Sequence, residues 1–292
     1  MDKIIACVDR ELDLPTVCDH AVWAAHRLGG PLEFLHVLDR HPERTPRVDM
    51  TGSIGLGTQE SLLDELSDLD ARRSKLAQEH GRLVLESARA RADETAALLP
   101  ADAQPVRATG RQRHGALVDT LTDLEPEAQL FVMAQHHHAG DLAKRHLDHN
   151  LERVVRSVHR PLLVAAATFN APRGYLVAFD GSPTGKAIVQ AVATSHLLRG
   201  LAAHIVTVGT DSTATRQQLA WAAEIFRTSH GTPVTAVVSG EPETALAGYA
   251  LNHGLDLLVM GAYGHSRIRH LIVGSTTTTI LRTSPLAVLV MR

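Results

Sequence analysis

The sequence predicts an α/β protein made of two copies of one unit, each a parallel sheet wrapped by helices. Three observations carry that prediction. Short apolar runs alternate with longer stretches whose apolar residues recur at spacings of three and four, the pattern of βαβ crossovers and so of parallel strands. The succession restarts near the middle of the chain, and the second half answers the first almost element by element. Aromatic residues make up only 3% and hydrophobic ones 44%, so the core is mainly Leu, Val, Ile and Ala. That mix suits strands buried on both faces and alanine-rich helices laid over them.

Taken in order, Lys3 to Val8 is a short apolar strand that ends in Asp9. Thr16 to Leu28 reads as a helix, with Val17, Ala21, Trp23, Ala24 and Leu28 on its apolar side and Gly29-Gly30 as its stop. Leu32 to Leu38 is the second strand, followed by a polar loop from Asp39 to about Thr58. A charged helical pattern then runs from about Gln59 to Leu99, and Gly81 inside it predicts a break. Pro105 to Thr109 is read as the third strand, His114 to Leu124 as a helix and Leu130 to Met133 as the fourth strand. Asn150 to Val158 is helical, and Pro161 to Ala165 is the fifth strand.

The second copy starts after a join at Thr168 to Arg173, which sets the expected domains at 1–168 and 173–292. Tyr175 to Asp180 answers Ile4 to Asp9, and Thr184 to Leu198 with Gly200 answers the first helix and its glycine stop. Ala203 to Val208 answers Glu33 to Val37. Pro233 to Gly240 is matched to Pro105 to Gly110. Leu257 to Met260 answers Leu130 to Met133, and Pro285 to Met291 answers the fifth strand. The second copy is shorter because it lacks most of the loop and long helix after its second strand.

One stretch stands out chemically. Gly261, Gly264 and Gly274 follow the apolar run Leu257 to Met260, and Ser275 and Thr276 then open a short helix, Thr277 to Arg282, that stops before Pro285. Strand, glycine-bearing loop and helix N-terminus together aim free N–H groups and the positive end of a helix dipole at one place, which suits a phosphate. In an open parallel sheet, ligands bind beyond the carboxyl ends of the strands where the winding reverses. If the first and fourth strands of this copy are neighbours there, Asp180 and the glycine loop line one crevice. Asp180 would then accept hydrogen bonds from an amino or hydroxyl group, or it simply caps a turn through Gly181-Ser182-Pro183. The chain contains no G-x-x-x-x-G-K-[ST], no G-x-G-x-x-G after either first strand, and no G-x-S-x-G elbow.

Asp180 after strand one, a second strand ending Val206-Thr207-Val208, and Met260-Gly261-x2-Gly264-x9-Gly274-Ser275 together resemble the universal stress protein family, and the two copies resemble its tandem members. The resemblance covers essentially the whole chain. It implies two Rossmann-like five-stranded parallel sheets of order 3-2-1-4-5, and ATP, with or without Mg, as cofactor. It also implies roles. Asp180 and the Val208 backbone would hold the adenosine end, and Met260 would line the pocket. Gly261, Gly264, Gly274, Ser275 and Thr276 would hold ribose and phosphates. His265, inside the loop, is a candidate phosphate contact.

The first copy departs from this pattern. It keeps Asp9, but Ala134 stands in place of Gly261, His137 in place of Gly264 and Asp148-His149 in place of Gly274-Ser275. A carboxylate and bulky side chains there would oppose phosphate, so this copy is not expected to bind ATP in the family's way. His136 to His138, with His146 and His149, raise the question of a metal site, against the plainer reading of a solvated loop. Cys7 and Cys18 read as buried small hydrophobes, and a chain with two cysteines and no leader pattern fits the cytoplasm. A net charge of -3 and the mixed charges from Asp64 to Arg91 argue against a nucleic-acid partner, and no apolar run is long enough for a membrane span.

Three functions follow from different classes. The leading one is an ATP-binding stress-response module with at most slow hydrolysis; no lysine or magnesium-binding carboxylate cluster accompanies the loop. The others are an adenine-nucleotide-dependent enzyme of the wider nucleotide-hydrolase-like group and a non-nucleotide interaction protein. The apolar fifth strands, Leu162 to Ala165 and Ala287 to Val290, would leave unpaired edges, so the two domains are expected to pair through them. The family resemblance adds a homodimer of the tandem chain as a further expectation.

Overall fold

The computed structural model describes residues 2–9, 12–38, 56–100, 104–135, 149–227, 229, 231–262 and 275–292. The first copy runs β1 (Lys3–Cys7), α1 (Leu14–Leu28), β2 (Leu32–Leu38), α2 (Leu56–Ala96), β3 (Ala108–His114), α3 (Leu117–Leu124), β4 (Ala128–Ala134), α4 (His149–Ser157) and β5 (Leu162–Ala165). The second runs β6 (Gly174–Ala178), α5 (Pro183–Thr194), β7 (Ala202–Val208), α6 (Thr213–Arg227), β8 (Val234–Val238), α7 (Pro242–Asn252), β9 (Leu257–Gly261), α8 (Ser275–Thr283) and β10 (Ala287–Met291).

The strands form one ten-stranded sheet of order β3-β2-β1-β4-β5-β10-β9-β6-β7-β8. Read inward from its edge to the centre, each half has the order 3-2-1-4-5. Every neighbouring pair is parallel except β5 and β10, which are antiparallel. Leu163 faces Leu289 across this seam, with Val164 opposite Val288 and Leu162 opposite Val290. Leu163 and Leu289 hold corresponding places in the two copies, so a pseudo-twofold axis passes through that pair. All eight residues of Leu162–Ala165 and Ala287–Val290 are buried. An edge of such residues could not stay in water, and each large one contributes roughly 1.5–3 kcal/mol by its burial.

Helices cover both faces. Residues of α1, α2, α5 and α6 share one core with one side of the sheet. Residues of α3, α4, α7 and α8 share the other. Polar bonds reinforce the seam. The Arg292 guanidinium donates to the carbonyls of Val155, at 2.9 Å, and Arg156, in the last turn of α4. Gln135 Nε2 donates to the Leu281 carbonyl in the last turn of α8. Each of these helix ends therefore has at least one open carbonyl satisfied by a residue of the opposite copy.

Two features differ from the sequence reading. The third strand is Ala108–His114, not Pro105 to Thr109; its register with β2 places Ala108 opposite Leu32. By that register Ala108, not Pro105, corresponds to Pro233. This edge strand carries Arg111, Gln112 and Arg113, so it lacks the apolar signal of a buried strand, and pairing with β2 selects it. Helix α2 also continues through Gly81. A Cβ there would lie 2.3 Å from Gln112 Nε2 and 2.5 Å from His36 Cδ2. Gly81 is thus a point where α2 lies close against the side chains of β2 and β3, not a break.

Candidate functional site

The second-copy crevice is built by two neighbouring strands. β6 and β9 pair in register, Val177 with Val259, so Asp180 and Ala262 each lie three residues beyond that pair at the same carboxyl edge. The chain leaves β6 towards α5 on one face and enters β9 from α7 on the other, which makes this the switch point of the half.

Phe179 fixes the exit of β6. It is 2% exposed, its N–H donates to the Val206 carbonyl at 2.9 Å, and its ring stacks on Trp221 at 6.2 Å. Asp180 follows at the exposed rim, and its Oδ1 accepts from the Ser182 N–H at 2.9 Å. Ser182 caps α5 by accepting from the Gly185 N–H at 3.0 Å. Gly181 makes the turn with φ +72°, and Gly185 leaves room for the carboxylate: a Cβ there would sit 2.5 Å from Asp180 Oδ1. The turn-capping role of Asp180 is therefore present. A carboxylate has two oxygens, each able to accept more than one hydrogen bond, so the bond to Ser182 does not by itself exclude a ligand.

The other predicted residues fall as follows. Val208 ends β7, half-buried opposite Val238, and the next N–H, that of Gly209, donates to the Val238 carbonyl at 2.8 Å. Met260 is buried at 6% exposure under the rim, and Gly261 closes β9 opposite Met291. Ser275 opens α8, and Thr276 in its first turn is exposed. Gly264, His265 and Gly274 lie outside the described residues.

One contact was not foreseen. Thr277, 3% exposed, donates its hydroxyl to the Ala262 carbonyl at 3.3 Å, while the Ala262 N–H donates to the Met291 carbonyl at 3.0 Å. The two ends of the 263–274 loop are thereby brought together at the carboxyl end of β9, with the N-terminus of α8 beside it. The run Ser275 to Thr279 signalled a helix start, but nothing in it singled out Thr277 as the buried member.

The first copy has its own cleft at the equivalent switch point between β1 and β4. It measures about 550 Å³ including the part open to solvent, and Cys7, Asp9, Val37, Leu117, Met133 and Asn150 are among its lining. Asp9, Val37 and Met133 are the counterparts of Asp180, Val208 and Met260. His136 to His138 and His146 lie outside the described residues. Among the described residues no group of three or more His, Cys, Asp or Glu is placed to hold a metal ion, and no helix is long and apolar enough to cross a membrane. Burial pushes both thiols, Cys7 and Cys18, up to about 12, which leaves them protonated at neutral pH.

The sequence profile of the universal stress protein family matches residues 1–166 and again 175–292. A universal stress protein of Synechocystis sp. is 35% identical over 295 residues, with all of both chains covered. The fold is similar to that of a universal stress protein of Archaeoglobus fulgidus DSM 4304, with a TM-score of 0.71, 17% identity and coverage of 99% and 98%. It is also similar to a protein of unknown function from Pseudomonas aeruginosa PAO1, with a TM-score of 0.61, 14% identity and coverage of 100% and 92%. The full-length duplication, the sheet order and these matches agree, and the chain belongs to the universal stress protein family as a tandem, two-copy member.

Proposed function

We propose that the protein is a cytoplasmic, ATP-binding stress-response module that holds its nucleotide in the second copy and hydrolyses it slowly at most. The observation that carries this reading is the bond from Thr277 to Ala262, which sets the start of α8 at the end of β9, beside the strand that delivers Asp180. The start of α8, with its free N–H groups and positive dipole end, then lies beside the carboxyl end of β9, as a chain of phosphates requires. Asp180 and the backbone at Val208 hold the adenosine end, and Met260 forms the floor. Gly261, Gly264, Gly274, Ser275 and Thr276 hold ribose and phosphates, and His265 contacts them. When bound, the nucleotide brings its own phosphate charge and any accompanying Mg; these residues bind and orient it. The chain divides functionally into 1–168 and 173–292. The first copy binds no ATP, because Ala134, His137 and Asp148 replace the loop glycines.

Calorimetry with ATP on the full chain tests this. The expected stoichiometry is one per chain, lost in Gly274→Asp. No binding, or two sites of similar affinity, would refute the assignment of one site to the second copy. Robust multiple turnover of ATP would favour an enzyme instead.

A further inference from the structure

Helix α2 is 41 residues long, about 60 Å at 1.5 Å per residue. Among its described side chains, those that lie on the body are in the C-terminal part, where Val84, Leu85, Ala88 and Ala92 are buried. From Ser67 to His80 every residue is exposed apart from half-buried Ala77. A helical segment of that kind draws little stability from its own sequence and normally depends on something packed against it. It carries a series that would serve. Leu69, Leu76 and Leu83 are 58%, 71% and 49% exposed and stand seven residues apart, and Leu62 continues the series in the sequence. By helical periodicity they lie on the side away from Leu85, Ala88 and Ala92, so the body does not cover them.

We infer that this stripe is an interface with a second copy of the chain, formed by two α2 helices lying antiparallel and centred on Leu76. A leucine at every seventh position supplies one of the two lines of a heptad seam, which a like helix covers, while Arg73 and His80 hold the other line. The charges decide the direction. Glu65, Asp68 and Asp70 precede the stripe's centre, and Arg82 and Arg89 follow it. Laid antiparallel about Leu76, Leu69 meets Leu83 of the partner subunit, Arg72 comes beside the partner's Glu79 on the same flank, and Glu65 comes near the partner's Arg89. Laid parallel, the acidic segment would lie beside its own copy, and so would Arg72, Arg73 and Lys75. Like charges in register oppose that arrangement. Arg82 is held within its own helix by Glu79 at 2.6 Å and Glu86 at 2.5 Å. These are exposed pairs, which exchange partners at little cost.

Sedimentation of the full chain at tens of micromolar tests the inference, with a mass twice that of the chain expected. Leu69→Glu/Leu76→Glu/Leu83→Glu should restore the single-chain mass and lower the helical circular dichroism signal by no more than the exposed part of α2 contributes, with the rest of the fold kept, since none of the three belongs to the buried core. Under oxidation Leu76→Cys should cross-link to itself far more readily than Leu69→Cys, with the native protein as the silent control. A native protein of single-chain mass, or a dimer that survives the triple substitution, would overturn the interface. Self-cross-linking by Leu69→Cys as efficient as that by Leu76→Cys would overturn the antiparallel arrangement.

Discussion

Gly185→Ala separates the two roles open to Asp180. The added Cβ would lie 2.5 Å from Asp180 Oδ1, but 3.4 Å from both Phe179 Cδ2 and Ser182 Oγ. The carboxylate, the loosest of the three, is therefore the group that moves. Its bond to the Ser182 N–H is then lost, at about 1 kcal/mol. Alanine in place of glycine within a helix returns about 1 kcal/mol. The expected change in stability is thus within about 1 kcal/mol of zero, measured by urea unfolding. Nucleotide binding should respond quite differently. A displaced carboxylate forfeits a charge-assisted hydrogen bond of about 1.5–3 kcal/mol, which is roughly ten- to a hundredfold in Kd. Calorimetry on the same protein, with Asp180→Asn as companion, reads this directly. An ATP affinity within twofold of the native value, at unchanged stability, would refute the ligand role and leave Asp180 as a turn residue only.

Other expectations follow from the fold. Leu289→Ala, at the centre of the seam and 2% exposed, should cost about 2–5 kcal/mol; unfolding at unchanged stability would show that the seam does not hold the halves together. Arg91→Met should destabilise the protein by chemical denaturation, because it removes the paired bonds of 3.0 and 2.7 Å to Asp19, whose carboxylate is largely buried. Cys7 and Cys18, with pKa values near 12, are thiolate in only about one molecule in ten thousand at pH 8. Alkylation by a thiol reagent should accordingly be slow, slowest for Cys18, which is buried where Cys7 is only half-buried in the first-copy cleft, and rapid labelling of Cys18 in the native state would contradict its burial. Burial, as the main cause, lowers the pKa of His20 and of His204 below 6.5. The unfolded chain then binds more protons just below pH 6.5, so stability should be full above that pH and fall as the pH drops through the lowered values. His20→Gln should flatten part of that slope, and a slope left intact would rule out His20 as its source.

Much of the fold could be read from the chain because its signals are local and repeated. β1, β4, β6 and β9 are central strands, apolar on both faces, so their composition announces them. The duplication then fixed the number of strands and the likeness of the halves. Legibility failed where an element owes its state to a neighbour. Ala108–His114 is a strand because β2 offers it hydrogen bonds, although its own residues are polar. Gly81 looked like a helix breaker but is a contact point. Asp180 was legible as the residue that follows the first strand of its copy, and it stands at the carboxyl edge beside β9. Thr277, Gly185 and Gln135 were not, since a threonine, a glycine and a glutamine acquire these roles only from what faces them.

The sequence by itself determined the α/β class, the tandem repeat and the contrast between the glycine loop of the second copy and its altered counterpart in the first, since these depend on residue type and order along the chain. The tertiary structure alone decided that two sheets become one through β5 and β10, with Leu163 against Leu289 on the pseudo-twofold. It alone showed that Thr277 ties the ends of the loop together and that the outer leucines of α2 remain uncovered. Register, burial and hydrogen-bond partners belong to pairs of residues far apart in the chain, and only folding brings those pairs together.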